Sequence, residues 1–270
     1  MSERTSGEAL GTVQRVIEVL RHLAESGETT VTATSTAVGL APSTCHRMLD
    51  LLAKDGIVER DAAKRSYRVG PEFYRLAALV QSRHDVRSIA RPFLKQVVDA
   101  CDETCVLSLY LPTEGHMTFA EKIDSSHMLR YQLPMNSPLS VLWGASGRAI
   151  LAYLPASEFA SLYARGQRAP ASGEALPRRD ILEAELNAIR LRGYAVSRGQ
   201  KIAGAVGINA PVFGADGRVV GSFGVTVPEQ RITPAQENRL GRLVCEHAAA
   251  LSRALGSTKH SVPQIELVQE

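Results

Sequence analysis

The feature that most constrains this chain is a pair of helical segments near its N-terminus, broken by a glycine turn. The run TVQRVIEVLRHLAES sets Val13, Val16, Ile17, Leu20 and Leu23 at helical spacing and stops near Ser26 and Gly27. A short segment follows, with Thr32 expected as N-cap, Val38 as apolar anchor and Gly39 as its stop. Next, APSTCHRMLDLLAKDG places Pro42 at the start of a longer helix whose apolar stripe is Cys45, Met48, Leu49 and Leu52. Its other face presents Ser43, Thr44, His46 and Arg47. A short helix, a tight turn and a longer helix with small polar and basic residues at its start make a helix-turn-helix. In that layout the second helix enters the DNA major groove N-terminus first.

The stretch IVERDAAKRSYRVG then reads as two strands, 57–60 and 66–69, around a loop with a basic tip at Lys64 and Arg65. The hairpin makes the unit a winged helix. Ser43, Thr44, His46 and Arg47 are placed for base edges, and Lys64 and Arg65 for phosphates. Asp50, Asp55, Glu59 and Asp61 intersperse with these cations, so a module that docks on another protein fits the same periodicity.

Composition narrows the remaining classes. With 270 residues, 44% apolar and 22% charged, the chain can bury a core, which excludes disorder, collagen and small disulfide scaffolds. The length suggests two domains. A net charge of +3 is too even to argue for nucleic acid by itself. Cys45, Cys101, Cys105 and Cys245 are too sparse for a disulfide framework and have no second Cys/His pair to complete a zinc site. They are expected reduced, with no metal and no cofactor. Glu3, Arg4 and Glu8 occupy the place of a signal peptide's apolar region, and the longest uncharged stretch, 131–147, carries Pro134 and Pro138. A cytoplasmic protein with no membrane span is expected.

Enzyme motifs are missing from the sequence. There is no G-x-S-x-G, H-E-x-x-H or G-x-x-x-x-G-K-[ST], and the glycines of GAVGINAPVFG do not open a helix. Cys45 and His46 are helix neighbours about 100° apart and cannot form a dyad. No catalytic residue is assigned.

Beyond residue 86, RSIARPFLKQVVDACDE has helical periodicity, while CVLSLYLP, HMTFAEKID and MLRYQLP are short β-rich runs. Helices over 145–154 and 181–192 precede three more strands, and a last helix begins with Thr233 as N-cap and Pro234 at its first position. Strands, helices, then strands suit an α+β class. Asp216-Gly217 signals a hairpin that makes 219–227 a central strand.

The segments GLAPSTCHRMLDLLAKDGIVERD and SYRVGPEFYRLA resemble the DNA-binding domain of the IclR family of bacterial transcriptional regulators. The resemblance continues in order through SGRAILAYLP, LEAELNAIRLRGYAVS, GINAPVFGADGRVVGSFGVTVP and the closing helix, covering roughly 12–256. It implies a disordered N-terminus (1–11), a winged helix-turn-helix DNA-binding domain (12–70), a linker helix (71–86), a GAF-like mixed α/β effector-binding domain (87–256) and a flexible tail (257–270). The linker stripe Phe73, Leu76, Ala77 and Val80 either pairs with another protomer or docks on its own domain. The family implies a homodimer or dimer of dimers on a pseudo-palindromic double-stranded operator, acting as repressor or activator under a small-molecule effector.

The same resemblance lines the effector pocket with Ala145, Ser146, Ser197, Arg198, Gly207, Gly224 and Thr226. Here SRGQK stands where the family carries an acidic run, and Gly207 where a cysteine is frequent. Gly207 and Gly224 remove volume, while Trp143, Phe223 and Tyr131 can supply apolar walls. The expected effector is therefore a bulkier, aromatic carboxylic acid from a catabolic route, its carboxylate paired by Arg198, Lys201 or Arg130. The alternatives are a sensory protein that binds a partner protein through its N-terminal unit and, less favoured, a small-molecule enzyme.

Overall fold

The computed structural model describes residues 11–83, 85–129 and 131–258, so Arg130 and the greater part of both expected tails lie outside the described residues. The side chain of Val80 lies outside them too. The chain divides into two compact units, Met1–His84 and Asp85–Glu270.

The first unit opens with α1 (Thr12–Ser26), followed by β1 (Glu28–Thr29), α2 (Val31–Val38) and α3 (Pro42–Lys54). Strands β2 (Val58–Asp61) and β3 (Ser66–Val69) and helix α4 (Pro71–Arg83) complete it. Its core gathers Val19, Leu23, Cys45, Leu49, Val58 and Tyr67. The expected stripe of α1 is buried at its C-terminal end, where Leu23 is inside and Leu20 packs against the core, while Val19 takes the place expected for Val13 and Ile17, which are 75% and 49% exposed. The cap of α2 is Thr30 rather than Thr32. Its hydroxyl accepts the Ala33 N–H at 3.2 Å, because the helix begins at Val31, two residues before the start that a Thr32 cap would give. Gly39 closes α2 at φ +67°, a left-handed value that costs glycine little and turns the chain into α3. The wing has a third strand, since β1 pairs antiparallel with β3 to give the order β1-β3-β2.

The second unit is a six-stranded antiparallel sheet between two helical layers. In chain order it runs α5 (Val86–Cys101), β4 (Thr104–Leu111), β5 (His116–Ile123), β6 (Leu139–Ser140), α6 (Gly144–Leu151), α7 (Ala156–Ala164) and α8 (Arg179–Arg192). Then follow β7 (Ala195–Arg198), β8 (Ala205–Phe213), β9 (Val219–Pro228) and α9 (Pro234–Ala254). The strand order is β6-β5-β4-β9-β8-β7, which makes β9 central, as the Asp216-Gly217 turn implied. Alternate residues of β4 enter different cores: Cys105 and Leu107 join the cluster with α5 and α9, and Val106 and Tyr110 join the one with α6, α7 and α8. A sheet covered on both faces needs apolar residues at successive positions, which explains the unbroken run CVLSLYL. The expected strand in MLRYQLP is not formed. Among its described residues none is extended in the sheet, and Met128 is fully exposed.

At the start of α9, the Thr233 hydroxyl accepts the Gln236 N–H and the Gln236 side chain accepts the Thr233 N–H, closing a reciprocal cap. Thr233→Ala is expected to cost about 1 kcal/mol of unfolding free energy, read as a lower urea midpoint at unchanged slope. A midpoint equal to wild type would show that the cap contributes nothing.

Candidate DNA-reading face and effector cavity

Helix α3 separates its two faces by burial. Cys45, Met48 and Leu49 are buried, whereas Ser43, His46 and Arg47 are exposed and Thr44 is half-buried. Positions 43, 46, 47 and 50 fall on one side of a helix. His46 is oriented there by Asp50, with Nδ1 3.1 Å from Oδ2, while the Tyr67 hydroxyl donates to the other oxygen of Asp50 at 3.4 Å. Arg47 has no ion-pair partner among the described residues, so its guanidinium is open to a phosphate or a base edge.

The two basic residues of the wing tip differ. The Asp61 carboxylate accepts the N–H groups of Ala63 and Lys64 at 3.0 and 3.1 Å, which folds the tip and holds the Asp61 carboxyl below its ordinary pKa. Arg65 follows at φ +54° and stands exposed. Lys64 instead reaches Glu28 at 3.4 Å and Asp61 at 4.0 Å, so a phosphate must compete with two carboxylates for it.

In the second unit, a cavity opens where the N-terminus of α6 meets β4, β8, β9 and the segment after β7. It holds about 40 Å³ of room for water-sized groups. Ala145, Ser146, Ser197, Gly207 and Thr226 line it, together with Asn209, Gln200 and Lys201. Two N–H groups at the helix start are already taken: Gly144 donates to Gln200 Oε1 at 3.0 Å and Ala145 to Ser197 Oγ at 2.7 Å. Two groups in the wall are poorly satisfied. The Asn209 side chain is 3% exposed and its Nδ2 has no partner among the described residues. The Lys201 amine sits 3.2 Å from Ser146 Oγ, 3.1 Å from Met117 Sδ and 5.8 Å from the Phe119 ring centre, with no carboxylate among its described contacts. Burial without a counter-ion pulls the Lys201 pKa down to about 7.

Comparison with known proteins decides the family. The IclR helix-turn-helix domain matches residues 12–62, and the C-terminal domain of bacterial transcriptional regulator IclR matches residues 78–253. The chain belongs to the IclR family. It is 30% identical over 233 residues to the regulator Rv1719 of Mycobacterium tuberculosis, covering 86% of this chain and 88% of that one. It is 25% identical over 247 residues to BhcR of Paracoccus denitrificans, with 92% and 88% covered. An IclR transcriptional regulator from Silicibacter sp. TM1040 superposes with a TM-score of 0.75 at 26% identity, over 94% of this chain and all of that one. This IclR protein is thus a transcriptional regulator with a helix-turn-helix DNA-binding domain and a mixed α/β effector-binding domain; its relatives are regulators, not enzymes.

Within this IclR chain, several residues expected in the pocket lie elsewhere. Arg198 pairs with Glu237 on α9, away from the cavity. Trp143 is buried, donating Nε1–H to the Gln167 carbonyl at 2.8 Å with the Arg148 guanidinium over its ring. Tyr131 donates to the Gly204 carbonyl at 2.6 Å. Phe223 packs in the opposite core, with α5 and α9. Gly224 does not widen the pocket: a Cβ there would lie 2.0 Å from the Ile208 carbonyl oxygen and 2.6 Å from Asn209 Cγ. Its space belongs to Asn209, the wall residue that pattern reading overlooked. A lone amide in the otherwise apolar strand GINAPVF was the available signal. Gly207, by contrast, does line the cavity.

Because the Lys201 pKa falls below its unfolded value, the unfolded chain holds the extra proton between about pH 7 and the usual 10.5, and stability rises with pH across that window. Lys201→Met is therefore expected to melt several degrees above wild type at pH 7, with the gap shrinking at pH 9.5. An equal gap at both pH values would show that the buried charge is not its source.

Proposed function

We propose that this regulator binds a pseudo-palindromic operator as a homodimer in the cytoplasm and answers to a small, non-aromatic carboxylic acid held in the cavity at the start of α6, controlling the genes that metabolise that acid. The observation that carries the ligand class is the unpartnered Asn209 amide beside a lysine with no acidic partner. A buried donor without an acceptor, beside a cation without a counter-ion, favours an anion that answers both. The narrow enclosed part of the cavity favours an anion of a few heavy atoms. The exposed row Ser43, His46 and Arg47 supports base reading by α3, and Arg65 supports a phosphate contact from the wing.

Two measurements test this reading. In a thermal-shift panel, acetate, glycolate and propionate should raise the melting temperature by several degrees at saturating concentration, and benzoate should not. Stabilisation by benzoate alone, or by none of them, would sink the proposed ligand class. In fluorescence anisotropy against DNA from upstream of its own gene, Arg47→Ala should weaken binding about tenfold or more with an unchanged melting curve. Equal affinity of the variant would remove Arg47 from the interface, and equal, steeply salt-dependent binding to a scrambled duplex would leave that fragment without support as an operator.

A further inference from the structure

We propose that Lys201 captures its effector covalently: its amine condenses with the carbonyl carbon of a small aldehyde or oxo acid seated in the cavity, forming a reversible imine. This rests on the reading of that cavity as the effector site and adds chemistry to it.

The surroundings of the amine are those of a nucleophile rather than of a structural cation. Its neighbours are a thioether, a hydroxyl and an aromatic ring, and none of them carries negative charge. Lysines elsewhere in the described residues find a carboxylate, as Lys95 finds Asp99 and Lys122 finds Asp124. The stem is pinned as well. A Cβ on Gly144 would come within 2.8 Å of Lys201 Cδ, so glycine at the start of α6 is what lets the lysine lie across it. With a pKa of about 7, roughly half of the amine is unprotonated at neutral pH, against fewer than one in a thousand for an ordinary lysine.

The step balances without an oxidant or reductant. The Nζ lone pair forms the C–N bond, the carbonyl π electrons move to oxygen, and the carbinolamine then loses that oxygen as water with the two hydrogens of the amine. Ser146 Oγ, 3.2 Å from Nζ, is placed to pass a proton between nitrogen and departing oxygen. In an oxo acid, the carboxylate next to the carbonyl can accept from the unpartnered Asn209 amide. The imine nitrogen then takes one proton from solvent, and its positive charge lies beside that carboxylate, which supplies the counter-ion that the amine lacks.

The test uses the full chain at pH 7 with glyoxylate, the smallest molecule carrying both an aldehyde and a carboxylate, and sodium cyanoborohydride to reduce the imine to a stable carboxymethyl amine. Peptide mapping by mass spectrometry should find Lys201 modified at least about tenfold over Lys54, Lys64, Lys95 and Lys122. Lys201→Arg, which keeps the charge but forms no imine, should lose that label with no other site gaining it. Glycolate, with a hydroxyl in place of the aldehyde, should slow the labelling. Label absent from Lys201, or spread evenly over the lysines, overturns the capture. If glycolate still raises the melting temperature in that case, the effector cavity stands and only the covalent step falls. If neither acid stabilises the protein, both fall together.

Discussion

Helix α6 is buried along its whole length, and the second unit is organised around that fact. Eight residues make too few internal hydrogen bonds to hold a helix in isolation, so its surroundings must hold it. They do so through its middle. Gly147 lies so close to the preceding chain that a Cβ would be 2.5 Å from the Val141 carbonyl oxygen, and the Ser146 carbonyl accepts from Ser222 on the central strand at 2.9 Å. Arg148 brings a guanidinium into the interior, where Trp143 covers it and Glu185 on α8 approaches to 3.3 Å.

That packing is what makes the cavity specific. The start of α6 has its first amides taken by side chains from β7 and the segment after it, so the cavity's free polar capacity is concentrated on Asn209 and Lys201. A ligand that touches Ser146 or Lys201 acts on a helix already in contact with the central strand and with α8. Close-packed elements of this kind move between discrete arrangements rather than by gradual deformation.

The sequence made legible whatever depended on periodicity and on glycine or proline punctuation. The breaks at Gly39 and Pro42, the cap at Thr233 and the turn at Asp216-Gly217 are local signals, and the structure realises each of them. Features set by tertiary contact were harder to see. A two-residue strand such as β1 has no pattern to detect, and α7 is a nine-residue helix of mixed small and aromatic residues. The buried side of α1 was misjudged because Val13 and Ile17 satisfy the helical spacing yet lie beside the core rather than over it. In the cavity, lysine was one of three cations considered. The paired state of Arg198 and the partner of Gly224 come from residues distant in the chain, which composition and spacing do not report.

Gly224 and Asn209 face each other across β9 and β8, and the missing side chain of one is the resting place of the other. The shape of the cavity wall thus depends on a glycine outside the lining. Any larger residue at 224 would press on the β8 backbone at Ile208 and on the Asn209 side chain together, so the wall of the cavity is set in part from a position that does not line it.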